Sequence, residues 1–562
     1  MRSNLRIAKN KRFHLAILLV LLFFISVLSY PSYLYVTVVQ TNKNLESEYQ
    51  DINSQLLSLQ SNISRLEAEN QVLSVRYGMR LFNNTEAIND LTNRCKALQI
   101  EIASANVNNT DLQTHYQNLL NFYSNVSDRI QTLSQGTNFN YLVFDQGNGT
   151  YLAENGSTTL VDYSGTDGAN IIQKCIDSLN DSGGKIALAG KIGIQTPLII
   201  NGSSTNGLLQ LSGFGPSTQL MVRNNSDGIN IFGSQAYGSG GPYHIIIDDL
   251  VLSTTNGECM NVGIHITNWF NINLENIMVF YADSSGVLIE DCANVNLNKV
   301  YVEGCGGSEY GGKVPLNGTG ICLKGSKDCY LQQCYSDTNW IGFMIESNKQ
   351  TNNPGKSIFL NQCEATLNEQ KGAIISNCEG ISMTNCLIEG TNNDGLMIID
   401  TGYVNILNTI IKGNAGNGAV LTSESSSMAE SEITIQSCTI SDNNQNGIGI
   451  WAKNAKDIGQ VNILSCTITN SGTGARGHPS VVGFWDGINI SNDPLTGGKC
   501  SDIKILQCLI GNKADSLQTQ NYGIRTLQNT DYIQLSQNSF FANINGNFTL
   551  EGLHNTVFGN VG

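Results

Sequence analysis

Hydrophobic residues follow three different patterns along the chain, and each pattern predicts a different element. Residues 13–39 contain no Lys, Arg, Asp or Glu, and ~20 such residues suffice to cross a bilayer as a helix. From Leu45 to Leu133 apolar residues recur at alternating intervals of three and four, which is typical of a coiled coil. Beyond residue 135 the pattern changes to the two-residue alternation of β-strands.

The apolar segment follows a short tail, residues 1–12, that contains Lys and Arg but no acid. Basic residues favour the cytoplasmic side of a membrane. We therefore expect a single-pass signal anchor at 13–39 in the cell membrane, with the N-terminal tail in the cytoplasm and the C-terminal head extracellular. A cleaved signal peptide with an apolar core from Leu15 to Leu28 is the alternative. An extracellular location would make the Asn-x-Ser/Thr sequons candidate glycosylation sites. They are Asn62, Asn83, Asn108, Asn125, Asn148, Asn155, Asn201, Asn224, Asn317, Asn489 and Asn547.

The heptad region, residues 44–134, predicts a long α-helical stalk. Asn70 and Asn109 fall at a positions, where a polar residue can fix the register and the oligomeric state. We expect a parallel homo-oligomer, and the sequence leaves dimer and trimer open. One long helix folded back on itself is the alternative, but lone Gly78 is the only turn signal in this stretch.

The third region contains a repeat whose unit opens with Gly followed by apolar, variable and apolar residues. Its shortest intervals are 22 residues (Gly320 to Gly342) and 23 residues (Gly263 to Gly286). Two more short alternating strands follow each opening, and no helix does. Repeats of this length predict stacked coils that contact only their neighbours. Three strands per coil predict a parallel β-helix, in which the apolar positions point inward.

The second strand of the units ends at a recurrent Cys or Asn: Asn276, Cys334, Cys363, Cys386, Asn408, Cys438, Cys466, Cys508 and Asn538. Stacking predicts an inward ladder of these residues with rungs ~4.8 Å apart. Parallel, in-register side chains hold their Cβ atoms too far apart for a disulfide. We therefore interpret the cysteines as small buried apolar side chains. No Cys-x-x-Cys pair is present, so no metal site is predicted.

Residues 161–222 carry a resemblance to a known family. The segment VDYSGTDGANIIQKC, followed later by LLQLSGFGPSTQLMV, resembles the opening of the pectate-lyase/polygalacturonase superfamily. The resemblance implies a capping helix at 169–179 and an all-β, right-handed parallel β-helix over 161–562, after a linker and entry strand at 135–160. It also implies that ligands lie along the first-strand face. It leaves the activity open, because this fold hosts lyases, hydrolases, epimerases and inert adhesins.

The sequence departs from the polygalacturonase pattern, which has a paired Asp-Asp and a Gly-His-Gly. Here Asp248-Asp249 lies in another region, and His478 is followed by Pro479. The first-strand face has an apolar floor made of Leu288, Cys322, Met344, Ile374, Met397 and Val420. Long connections at 305–319, 471–486 and 512–522 predict walls on either side of it. An exposed apolar stripe can also mark a partner interface.

Two charged sets share an offset on successive coils, and either could be an acid/base set or a solvated ladder. Glu290, Lys324 and Glu346 form the first set, which we assign to carbohydrate binding. Glu424, Lys453 and Asp493 form the second.

The connection 471–486 adds Arg476, His478, Trp485 and Asp486. In an enzyme, Asp486 or Glu424 would be the acid/base, and Lys453 or Arg476 would stabilise charge. Asp493 and His478 are further catalytic candidates. Trp451 and Trp485 are candidate sugar platforms.

The net charge of −15 argues against nucleic acid as a partner, because phosphate binding needs Lys and Arg. We predict a membrane-anchored extracellular protein that binds polysaccharide as an adhesin does, with weak catalysis or none. A polysaccharide lyase or glycoside hydrolase is one alternative, and a structural cell-surface coat component is another. No cofactor is predicted, except calcium if the protein is a lyase.

Overall fold

The computed structural model describes residues 139–146, 149–179, 182–202, 207–233, 244–254, 260–306, 318–426, 432–472, 485–492, 497–512, 519–527 and 529–562. The predicted tail, membrane segment and coiled-coil stalk lie outside the described residues. Within the described ranges, no helix is long and apolar enough to cross a membrane.

The described chain begins with three short strands and one helix: β1 (Tyr141–Asp145), β2 (Tyr151–Asn155), β3 (Val161–Gly165) and α1 (Gly168–Leu179). Strand β1 pairs parallel with the first coil, and β2 pairs antiparallel with β3. Asp167 caps α1, because its Oδ1 accepts the Ala169 N–H at 3.1 Å. The apolar face predicted for the helix is buried, so α1 covers the end of the hydrophobic core.

The remaining strands follow in repeating order along the chain. They are β4 (Gly184–Ala189), β5 (Lys191–Ile194), β6 (Leu198–Asn201), β7 (Leu208–Ser212), β8 (Gln219–Val222), β9 (Ile229–Phe232), β10 (His244–Thr254), β11 (Met260–Thr267), β12 (Phe270–Phe280), β13 (Ala282–Glu290), β14 (Ala293–Asn298), β15 (Tyr301–Glu303), β16 (Thr319–Lys324), β17 (Lys327–Gln332), β18 (Tyr335–Asp337), β19 (Ile341–Glu346), β20 (Gly355–Asn361), β21 (Glu364–Thr366), β22 (Lys371–Ser376), β23 (Cys378–Thr384), β24 (Leu387–Glu389), β25 (Leu396–Ile399), β26 (Gly402–Leu407), β27 (Ile410–Lys412), β28 (Ala419–Ser423), β29 (Ile433–Gln436), β30 (Thr439–Ser441), β31 (Ile448–Ala452), β32 (Val461–Leu464), β33 (Thr467–Thr469), β34 (Ile488–Asn492), β35 (Cys500–Leu506), β36 (Leu509–Gly511), β37 (Tyr522–Thr526), β38 (Thr530–Ser536), β39 (Ser539–Phe541), β40 (Gly546–Thr549) and β41 (Thr556–Phe558).

The strands that open each coil form one parallel sheet of 13 strands, which we call the first-strand sheet: β6, β9, β11, β13, β16, β19, β22, β25, β28, β31, β34, β37 and β40. The other strands form a 28-stranded sheet, in which the long strands β10 and β12 join the second and third strands of a coil. Along nearly every strand the inward residue is a buried Ile, Leu, Val or Cys. The alternating pattern therefore produces the predicted parallel β-helix.

The corner after each second strand is made by one residue with a positive φ, mostly Asn, Gln or Ser, at Asp249, Asn276, Lys299, Gln333, Gln362, Asn385, Asn408, Ser437, Ser465, Gln507 and Gln537. β-Branched residues are strained in this left-handed conformation, and none of these corner residues is β-branched. The next residue points inward and is buried. The predicted ladder is therefore wrong at two rungs, because Asn276 and Asn408 are corner residues and Ile277 and Thr409 occupy the inward positions.

The cysteine rungs are confirmed as small buried side chains. All the cysteines in the described ranges are free and buried, including Cys334, Cys363 and Cys386. Burial raises the pKa of Cys292 to about 12, which keeps that thiol protonated and unreactive at neutral pH.

Candidate functional site

The outward row of the first-strand sheet forms the apolar floor that the sequence predicts. Leu288, Cys322, Met344 and Ile374 pair in register on successive strands. Leu288, Met344 and Ile374 are half-buried, whereas Cys322 is only 5% exposed. The floor is therefore apolar along most of its length. Its side chains can contact a ligand, but they include no acid or base for catalysis.

A polar group lies beside the N-terminal half of this floor. Thr267, Glu290, Lys324 and Glu346 end the strands β11, β13, β16 and β19, and they pair in register on successive coils. His265 lies on the same face, two residues before Thr267. We call these five residues the His265 cluster. Neighbouring strands are ~4.8 Å apart, so the cluster extends over four coils.

Glu290 is the centre of the His265 cluster. Its Oε2 lies 2.8 Å from His265 Nε2, and its Oε1 lies 3.0 Å from Lys324 Nζ. His265 Nε2 also lies 3.1 Å from Thr267 Oγ1. The side chains of Glu290, His265 and Lys324 are 18%, 20% and 26% exposed. The trio is thus held by short contacts yet can be reached from solvent.

The two glutamates of the cluster titrate in opposite directions. The hydrogen bond with His265, assisted by Lys324 and opposed by desolvation, lowers the pKa of Glu290 to about 2. Burial raises the pKa of Glu346, although the charges of Lys324 and Lys349 oppose it. Desolvation would lower the pKa of Lys324, but the hydrogen bond to Glu290 and the charges of Glu290 and Glu346 together outweigh it, and the pKa is raised. A fixed carboxylate and a more readily protonated carboxyl therefore occupy one face.

The comparisons with known proteins bear on the fold alone. No protein-family model matches the chain, and no curated protein matches it. Among solved structures, tailspike protein 3 of bacteriophage CBA120 is 12% identical with a TM-score of 0.50, over 71% of this chain and 59% of that one. The A-module of the Azotobacter vinelandii mannuronan C-5 epimerase AlgE6 is 16% identical with a TM-score of 0.43, over 70% and 96%. A GH87 α-1,3-glucanase from Streptomyces thermodiastaticus is 11% identical with a TM-score of 0.44, over 70% and 66%.

These structures are right-handed parallel β-helices. The described head has a parallel β-helix fold of this kind. The resemblance seen in the sequence is confirmed at this level, and identities this low say nothing further about activity.

The second charged set of the β-helix is assembled differently. Lys453 Nζ lies 3.2 Å from Glu424 Oε1, with side chains 36% and 40% exposed. The same Nζ lies 5.6 Å from the ring centroid of Trp451. The Trp451 ring covers Gly449, where an added Cβ would lie 2.7 Å from the ring. The structure thus brings these three predicted residues together, while the third charged member, Asp493, lies outside the described residues.

Asp486, predicted as a catalytic acid/base, lies in a buried ladder of hydrogen bonds. Its N–H donates to Asn446 Oδ1 at 2.9 Å. Its carboxylate accepts from Asn489 Nδ2 at 2.9 Å and from the Tyr522 N–H at 3.2 Å. The side chain is 1% exposed, and burial raises the pKa of its carboxyl. Asp486 therefore connects three neighbouring coils, which is a structural role.

The predicted wall at 471–486 is described only at its ends. Arg476 and His478 lie outside the described residues. Trp485 is half-buried and forms a bridge with Gln520.

Of the sequons, Asn155, Asn201, Asn224, Asn489 and Asn547 are described, and the others lie outside the described residues. Asn155 is the last residue of β2 and Asn224 is in a turn, whereas Asn489 Nδ2 donates to Asp486. Glycosylation of Asn489 would break that bond.

Sequence reasoning missed two members of the His265 cluster. Thr267 follows its opening glycine, Gly263, by the same four positions that separate Glu290 from Gly286. Extending the charged offset one coil toward the N-terminus would have found it. His265 precedes Thr267 by two positions and pairs in register with Leu288, not with Glu290. A comparison of equivalent positions in successive units therefore could not find its bond to Glu290.

Proposed function

We propose that the β-helix head binds a polysaccharide along the first-strand face, with the His265 cluster as the main contact. The observation that carries this proposal is the His265–Glu290–Lys324 trio, which is joined at 2.8 and 3.0 Å and remains partly exposed beside an apolar floor. Charged groups provide strong hydrogen bonds to sugar oxygens, and half-buried Leu288 and Met344 offer surfaces for the C–H faces of sugar rings.

The charges of the site favour an acidic polysaccharide over a neutral one. Lys324 and the exposed Lys349 are positive, whereas Glu290 is the one carboxylate of the cluster with a strongly lowered pKa. The Lys324 and Lys349 cations at this face would contact the anionic groups of such a polysaccharide. We expect binding to weaken with salt, as it does for exposed charge pairs.

The test is binding of the full chain, in detergent, to acidic and neutral polysaccharides. Lys324→Ala should lower the affinity about tenfold or more, since it removes a charge-assisted hydrogen-bond donor. Lys356→Ala is the matched control, because Lys356 forms a pair with Glu379 at 3.0 Å on the other sheet. Equal loss in both variants would contradict a site at the His265 cluster, and no binding by the wild type would favour the structural coat component.

A second candidate function, polysaccharide cleavage, is favoured by the opposed pKa shifts of the two glutamates. Glu290 and Glu346 are two strands apart, or about 10 Å between Cα atoms at ~4.8 Å per strand. Glutamate side chains on strands this far apart can bring their carboxyl groups to the ~6.5–9.5 Å separation of an inverting glycoside hydrolase. Protonated Glu346 would donate its proton to the glycosidic oxygen, and Glu290 would take a proton from the attacking water. A lyase remains the other enzymatic alternative, and calcium belongs to it.

Cleavage is tested by following new reducing ends and the absorbance of unsaturated uronates, with and without calcium. Glu346→Gln should abolish new ends while polysaccharide binding persists. Unsaturated products would identify a lyase instead, and binding without any cleavage would leave an adhesin.

The location of the head is part of the same proposal. The apolar segment 13–39 would anchor the chain in the cell membrane, and the heptads of 44–134 would join the heads as a dimer or trimer. Protease protection of residues 1–12 in intact cells, with cleavage of the head, is the expected outcome. Protection of the head instead would contradict this orientation.

A further inference from the structure

The connection between β19 and β20, residues 347–354, directly follows Glu346, and we call it the rim loop. Its base is closed by a bridge in which the Asn348 N–H donates to the Asn353 carbonyl at 2.8 Å. Asn348 Oδ1 also accepts the Gln350 N–H at 3.0 Å. Lys349 lies in its exposed part, and the charge of Lys349 acts on Glu346. The rim loop therefore adds a basic side chain to one end of the His265 cluster.

A buried carboxylate from another coil holds the rim loop. Asp291, which follows Glu290, is only 4% exposed. Its Oδ2 accepts from Asn348 Nδ2 at 2.8 Å, and its Oδ1 accepts from Thr351 Oγ1 at 2.8 Å and Asn353 Nδ2 at 2.7 Å. These partners are 57, 60 and 62 residues away in sequence. Three hydrogen bonds to one buried charge fix a loop much more firmly than neutral bonds do.

Asp291 reaches the rim loop across an intermediate coil, and Gly325 makes the passage. Gly325 has a φ of +61°, and a Cβ added there would lie 2.5 Å from Asp291 Oδ1 and 2.7 Å from Asn348 Cβ. Any other residue would push the carboxylate away from the loop and would be strained at this φ. The contact of Asp291 with the rim loop, across three coils, therefore depends on the absence of a side chain at Gly325.

Asp400 provides the internal comparison, because it occupies the corresponding corner after β25. Its carboxylate accepts from the Glu424 N–H at 2.7 Å and from the Ser425 N–H at 2.8 Å. Asp400 therefore holds the next coil only, through two backbone N–H groups and the Ser425 hydroxyl. Asp291 bonds to three side chains of a loop two coils away, so it sets the place of the loop relative to the polar cluster.

We propose that Asp291 is a positioning residue for the polysaccharide site: through the passage at Gly325 it fixes the rim loop, so that Lys349 faces a ligand bound at Glu290, Lys324 and Glu346. The ligand part of this inference rests on the proposed function. The anchoring part does not, because it concerns contacts within the chain.

The first experiment measures hydrogen exchange of the rim-loop amides in the full chain in detergent. Asp291→Ala and Gly325→Ala should each lower the protection of residues 348–353 by about tenfold or more, since the hydrogen bonds from the loop to the buried carboxylate are lost. Thr351→Val removes one bond without changing the backbone and should give a smaller loss in the same direction. Asp400→Ala should leave these amides unchanged and expose those of 424 and 425. Unchanged rim-loop protection in Asp291→Ala would overturn the anchor.

The second experiment combines Asp291→Ala with Lys349→Ala and measures affinity for the acidic polysaccharide that the wild type binds best. Each single variant should lower the affinity severalfold, and the double variant should lose no more than Asp291→Ala alone, because Lys349 acts only when positioned. Additive losses, or unchanged affinity with a loosened loop, would overturn the positioning role while the anchor stands. Absence of any binding by the wild type would overturn the positioning role with the proposed function, and the exchange result would still decide the anchor.

Discussion

Two glutamate–lysine pairs on the same side of the β-helix look alike in sequence and differ in structure. Glu290 and Lys324 lie 3.0 Å apart with side chains 18% and 26% exposed. Glu424 and Lys453 lie 3.2 Å apart with side chains 40% and 36% exposed. Each pair joins neighbouring coils at a fixed distance from the opening glycine of the unit. The first pair also has a histidine partner, and the pKa of its carboxyl is lowered to about 2.

The position relative to the strand end explains the difference. Glu290 and Lys324 are the last residues of β13 and β16, so the sheet holds them against the floor. Glu424 and Lys453 each come one residue after β28 and β31, in the corner. In register, Thr422 lies in the row of Glu290, and Glu424 lies two positions beyond it, in the more exposed corner. An exposed ion pair contributes little to the stability of the fold. Removing one partner of a partly buried pair costs more, because the other charge is left unpaired in a partly desolvated position.

The largest expected effect comes from removing the carboxylate of each pair. Glu290→Gln should lower the local free energy of opening by about 1–3 kcal/mol, because Lys324 and His265 lose their partly buried partner. Glu424→Gln should change it by less than about 0.5 kcal/mol. Hydrogen exchange in β13 and β16, compared with β28 and β31, measures both, since a repeat array opens locally. Equal effects in the two variants would show that strand position does not matter.

An intermediate effect of opposite sign is expected at Glu346. Because burial raises its pKa in the folded chain, the unfolded chain releases this proton at lower pH, and the folded state loses stability as the pH rises above the ordinary glutamate range. Glu346→Gln should therefore melt higher than wild type at pH 7 and like wild type below about pH 4.

Glu290→Gln is the control with the reverse sign. Its folded pKa of about 2 means that the carboxylate contributes stability above the ordinary range, and this contribution is lost as the pH falls toward 2. Melting midpoints of both variants across pH 2–8 test the pair, and shifts of the same sign would be inconsistent with the opposed environments.

A small effect is also expected for Lys453→Gln. This change removes an exposed ion pair and a cation at 5.6 Å from the Trp451 ring, together worth about 0.5–1 kcal/mol at an exposed site. Local exchange in β31 and the emission of Trp451 should change slightly, and polysaccharide binding should not. A tenfold loss of binding would move the site toward the Trp451 region.

The strands and the inward rows could be predicted because each depends on neighbours in sequence. Alternation selects the inward side chain, and the glycine openings mark the unit, so Glu290, Lys324 and Glu346 could be placed in one row. The predicted inward ladder was wrong at Asn276 and Asn408, because each of these residues forms the left-handed corner and the next residue points inward. In the sequence, Asn at the corner cannot be distinguished from Asn at the inward position. The burial of Asp486 could not be predicted, since Asn446, Asn489 and Tyr522 surround it only after the coils stack.

The sequence by itself determined the coil, its three strands, the buried cysteines and the capping helix, because alternating apolar residues and a helical apolar face are local properties. Only the tertiary structure decided which polar side chains meet. The bond between His265 and Glu290 joins residues 25 positions apart. The bond between Asp291 and Asn348 of the rim loop joins residues 57 positions apart. Such contacts depend on register, corner geometry and the space left by one missing side chain, and a linear pattern records none of these.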